Sequence, residues 1–93
     1  GKYETLSPYL SNDIVLVTLA DGGAKSLRGL KGQSLGVTTE TKFMNALSSN
    51  EKLMERFDQI KRLTGGSKAL LDALTNREVD AIIVYSIALA YYG

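Results

Sequence analysis

Thr38, Thr39 and Thr41 place three hydroxyls within four positions, with Glu40 between them. A hydroxyl donates and accepts hydrogen bonds, so such a cluster either caps a helix start or holds a small polar solute. Both readings stand for these threonines. Tyr85-Ser86 forms a second polar pair, at the end of the apolar run VDAIIVY. Groups of this kind bind and orient; they do little acid–base work near neutral pH unaided. The 93 residues include no histidine, the commonest general base and metal ligand, and no cysteine for a thiolate site or a disulfide. The expectation is a binding protein and not an enzyme, with no catalytic residue, no metal and no cofactor.

The elements around these residues read as strands alternating with helices. Ile14 to Leu19 (IVLVTL) is β-branched and nearly continuous in its apolarity, as in a strand covered on both faces, and Asp21-Gly22-Gly23 ends it with turn chemistry. Ser26 to Leu30 predicts one helical turn closed by Lys31-Gly32, and Gln33 to Thr38 a second strand. From Thr41, the positions of Phe43, Ala46 and Leu47 keep a helical period. A second helical piece is expected after Ser49 or Asn50, with Leu53, Met54 and Phe57 on one side.

Gln59 to Leu63 is a weaker strand pattern. Gly65-Gly66 breaks the chain, and Ser67 is expected to cap a helix carrying Leu70, Leu71 and Leu74 on one face. Val79 to Tyr85 gives the strongest strand pattern, and Ser86 is expected to cap a last helix. This alternation predicts an α/β fold: a three-layer αβα sandwich with a mostly parallel sheet. Ligands in such sheets bind beyond the carboxyl ends of the strands. Thr38–Thr41 and Tyr85-Ser86 then share one rim.

Length allows a single domain spanning residues 1–93. Eleven basic residues against ten acidic ones, net charge +1, argue against a nucleic-acid partner. No apolar run approaches the length of a membrane span. Glu51, Lys52, Glu55 and Arg56 read as a solvated helix face. Asp80 is expected in a structural turn, Tyr85 either in the core or lining a site, and Tyr91-Tyr92 over the sheet.

Four stretches in order carry a likeness to a known family: Ser7-Pro8-Tyr9 before the Ile14–Thr18 strand; Leu27, Leu30, Lys31, Gly32, Leu35, Gly36 and Val37; Ala73 to Ala81; and Ile87 to Tyr92. The chain resembles the second lobe of a type II periplasmic solute-binding protein of the polar amino-acid-binding family. That resemblance implies a lobe inserted through two hinge crossings with its ends close together, and a first lobe absent from this sequence. It also places Thr38, Thr39, Glu40, Thr41 and Lys42 in the turn whose backbone amides face the ligand. Glu40 stands where the family has glycine, and Tyr85 where amino-acid binders have an aspartate. The implied ligand-binding residues are Thr38, Thr39, Thr41, Lys42, Tyr85 and Ser86.

The implied function is extracytoplasmic capture of a small polar solute, an amino acid or relative, for an ABC-type transporter and its membrane permease. The same lobe serves as the sensor of membrane receptors such as histidine kinases and ligand-gated channels, which is the alternative reading. An enzyme built on this fold is the third and weakest.

Overall fold

The computed structural model describes residues 2–6, 10–23, 29 and 32–92. In chain order the elements are β1 (Tyr3–Leu6), β2 (Ile14–Leu19), β3 (Gln33–Val37), α1 (Thr41–Ser48), α2 (Glu51–Met54), β4 (Phe57–Arg62), α3 (Gly66–Thr75), β5 (Ala81–Tyr85) and α4 (Ser86–Tyr92). Ser7-Pro8-Tyr9, Leu27, Leu30 and Lys31, with the helical turn expected around them, lie outside the described residues.

One five-stranded sheet runs in the order β1-β2-β5-β3-β4. Each central strand feeds two apolar layers, because successive side chains point to opposite faces. Ile14 and Leu16 of β2, with Ala81 and Ile83 of β5, join Leu35, Val37, Phe43 and Leu47 in one cluster. Val15, Val17, Ile82 and Val84 join Leu70, Leu71 and Leu74 in the other. Helix α1 therefore closes one face and α3 the other, which is the sandwich expected from the sequence. The nearly continuous apolarity of IVLVTL has its cause here: all six residues of β2 are buried.

The sheet is mixed where a mostly parallel one was expected. β3 pairs in parallel with β4 and with β5, whereas β2 runs antiparallel to both β1 and β5. Burial on both faces makes a strand read as a continuous apolar run whichever way its neighbours point, so composition alone carries no direction. The mixed arrangement brings the start of β2 to the end of β5, with Ile14 opposite Tyr85.

Two boundaries also shift. Helix α3 is entered at Gly65 with φ 101°, and Ser67 sits inside the first turn without the expected capping bond. A left-handed residue at the entry suits glycine, so the cap falls before the hydroxyl that suggested it. In β4, the pairing passes from Gln33–Phe57 to Ser34–Gln59, leaving Asp58 as an extra residue. This bulge lets Phe57 and Ile60, three positions apart, pack into the same layer. It also explains why the strand was faint in the sequence: simple alternation fails across a bulge. The short strand β1 carried no signal strong enough to predict it. Gly36 of β3 faces Val79 and Ile82, where an added Cβ would lie 3.2–3.3 Å from their methyls.

Candidate functional site

At the carboxyl ends of β3 and β5 the chain gathers most of its predicted site residues. The two strands are parallel neighbours, with Leu35 opposite Ala81 and Gly36 opposite Ile82. The segment leaving β3, Thr38 to Lys42, therefore emerges beside Tyr85 and Ser86, where β5 gives way to α4. Thr39, Glu40, Thr41 and Lys42 are exposed, and Tyr85 and Ser86 are half-buried. Thr38 differs: it is 5% exposed, and its Oγ1 is buried with no hydrogen-bond partner. An unpaired buried hydroxyl is costly, and here it sits one residue past the strand on the rim side.

None of the three threonines occupies the cap position of α1. Glu40 does, in extended backbone, and its carbonyl accepts the N–H groups of Phe43 and Met44 at 3.1 Å each. Its carboxylate forms no capping bond. Instead the Tyr85 hydroxyl donates to Glu40 Oε2 across 3.5 Å, the long limit for such a contact. Capping therefore leaves the three hydroxyls uncommitted.

Lys42 Nζ pairs with Asp13 Oδ2 at 2.5 Å and lies 5.3 Å from the centroid of the Tyr85 ring. The Asp13 carboxylate also accepts from Ser11 Oγ at 3.2 Å, and its backbone carbonyl accepts the Ser86 N–H at 2.8 Å. The Lys42 ammonium, aided by the Ser11 hydroxyl, holds the Asp13 carboxyl below the usual aspartate range against an opposing desolvation. Hydrogen bonding to Asp13 in turn raises Lys42 above the ordinary lysine value. Tyr85 itself packs on Phe43, so it both lines the rim and belongs to the core edge.

Asp13 is the rim residue that sequence reasoning missed. In an all-parallel sheet the start of β2 would lie at the opposite edge, far from Tyr85. The signal that points to it is a short polar segment, Ser11-Asn12-Asp13, directly before the most apolar strand.

Asp80 behaves as expected of a structural residue. It lies at the other end of β5, where Oδ2 accepts from Ser34 N at 2.9 Å and Ser34 Oγ at 3.1 Å, and its own N–H donates to Ser34 O. Glu51, Lys52 and Glu55 are exposed, as a solvated face requires. Tyr91 and Tyr92 do not cover the sheet. They are 81% and 48% exposed and stack edge-on with centroids 4.8 Å apart, because the short helix α4 buries only Ala88. Beside them, an open groove of about 500 Å³ runs from Gly65 and Ser67 to Tyr85 and Ile87. Among the described residues no group of acidic side chains is arranged to hold a metal ion, and no helix is long and apolar enough to cross a membrane.

No protein-family model matches the chain, and no curated protein matches it in sequence. Solved structures do match in fold. The second substrate-binding domain of a putative amino-acid ABC transporter from Streptococcus pneumoniae superposes with a TM-score of 0.69 at 22% identity, over 97% of this chain and 40% of that one. Tv2483 bound to L-arginine matches at 33% identity and a TM-score of 0.67, over 91% of this chain and 34% of that one. The periplasmic VFT2 domain of Bordetella pertussis BvgS matches at 18% identity and 0.68, over 97% and 37%. The chain thus spans well under half the length of each of these proteins.

Proposed function

The chain has the fold of one lobe of a type II periplasmic solute-binding protein, and from that premise we propose that it is the ligand-binding lobe of an extracytoplasmic receptor. The receptor captures a small polar solute, an amino acid or relative, and delivers it to an ABC-type permease. The observation that carries this reading is the shared rim: the parallel ends of β3 and β5 set Thr38–Lys42 beside Tyr85 and Ser86. Hydroxyls, a carboxylate and an ammonium converge there at the edge where ligands of α/β sheets bind. The likeness to an arginine-bound protein at 33% identity supports an amino-acid-like solute. The lobe binds and does not catalyse, a reading supported by a sequence without histidine or cysteine.

A sensor lobe of a membrane receptor is the second reading, favoured by the likeness to the BvgS domain. A kinase or membrane segment in the gene product beyond Gly93 would decide for sensing.

The binding reading is tested on the complete gene product with a thermal-shift panel of amino acids, opines and small cations. Stabilisation by at least one member is expected. A flat response across the panel overturns it.

A further inference from the structure

Three elements converge on one ammonium. Lys42 on α1 reaches across the rim to the Asp13 carboxylate before β2 and to the face of Tyr85 at the end of β5. A carboxylate together with an aromatic face is the chemistry that recognises an organic cation.

The two acceptors are fixed by the fold, whereas the cation is not. The Tyr85 ring rests on Phe43, itself 1% exposed. Asp13 is held at its carboxylate by Ser11 and at its carbonyl by the Ser86 N–H. Lys42 brings a long flexible stem, and both side chains of the pair are well exposed, Lys42 at 53% and Asp13 at 47%. A solvated ion pair of this kind gains little over its separated partners, so displacing the ammonium is cheap. We propose that Asp13 and the Tyr85 ring form a cation site in which Lys42 is a tethered occupant, displaced by the ammonium or guanidinium group of a cationic solute. Resting on the solute-binding reading, the proposal names the ligand class of that rim: a solute whose positive group meets Asp13 and Tyr85 once Lys42 swings away.

Lys42 then acts as an internal competitor. The apparent affinity for a cation is reduced by the fraction of chains in which the lysine occupies the site. Removing the lysine without removing its bulk tightens binding, and removing Asp13 abolishes it.

The experiment uses the 93-residue chain, ¹⁵N-labelled, titrated with n-butylammonium chloride and separately with sodium butyrate at matched ionic strength. In the wild type n-butylammonium is expected to shift the amides of Asp13, Tyr85 and Ser86. In Lys42→Met the same shifts saturate at a concentration lower by at least about threefold, and Asp13→Asn in that background erases them. Equal half-saturation in wild type and Lys42→Met overturns the tethered-occupant role. Shifts driven by butyrate and not by n-butylammonium overturn the cation site and make Lys42 an anion receiver. Because the probe is a bare alkylammonium, the result is independent of the natural solute. A flat solute panel would remove the transport or sensing reading and leave this outcome unchanged.

Discussion

Tyr85 stands on Phe43, ring centroids 4.7 Å apart and planes inclined by 58°. One ring is a core residue at 1% exposure, and the other carries its hydroxyl to the rim. The contact joins the packing of α1 against the sheet to the placement of a site residue. Disturbing the core at Phe43 therefore disturbs the rim.

Phe43→Ala is expected to cost about 3–5 kcal/mol of stability, through lost burial and the cavity left behind. The same change should loosen the Tyr85 ring. Urea unfolding with an unchanged slope and a lowered midpoint reports the first effect; averaged ring-proton shifts of Tyr85 report the second. A midpoint near that of the wild type would mean that Phe43 is not the support of α1.

Gly65→Ala is expected to destabilise the chain by about 1–2 kcal/mol, since an L side chain is strained at positive φ. The backbone there has φ 101°, and an added Cβ would lie 2.9 Å from the Ala69 Cβ. Thermal unfolding of the variant against Gly66→Ala separates strain alone from strain plus crowding, because nothing lies within 4 Å of a Cβ placed on Gly66. Gly65→Ala should be the lower-melting of the two.

The Asp13–Lys42 pair has a defined pH window. Asp13 is shifted down, so its contribution is complete above the ordinary aspartate pKa and is lost as pH falls through the depressed folded value. Lys42 is shifted up, so its contribution is complete below the ordinary lysine pKa and is lost as pH rises through the raised value. The pair therefore persists across neutrality. A carbon-detected NMR titration should find the Asp13 carboxyl midpoint lower in the wild type than in Lys42→Met. Coincident midpoints would show that the pair does not form in solution.

The isolated chain should bind its natural solute only weakly. A clamp of micromolar affinity corresponds to about −8 kcal/mol, and contacts shared equally between two lobes leave about half of that, in the millimolar range. Water reaches the exposed rim of a single lobe and competes for each hydrogen bond. Saturable micromolar binding by the 93-residue chain would mean a self-contained pocket instead of half of one.

The strands β2, β3 and β5, the helices α1 and α3, and the αβα layering are legible in the residues alone. Runs such as IVLVTL and AIIVY are apolar on both faces, and helical spacing of Phe43, Ala46 and Leu47, or of Leu70, Leu71 and Leu74, supplies a face for each side. These are local patterns, written in consecutive residues. The placing of Thr38–Lys42 beside Tyr85-Ser86 was legible too, because it results from β3 and β5 being parallel neighbours. Strand direction elsewhere was not legible. A doubly buried strand has the same composition in either direction, and the pairing partner is chosen by contacts far along the chain. Only the tertiary structure turned β2 antiparallel to β5 and carried Asp13 to Lys42, 29 positions away in sequence. The pairing of a carboxylate with an ammonium is a long-range event, and no spacing rule within the chain encodes it.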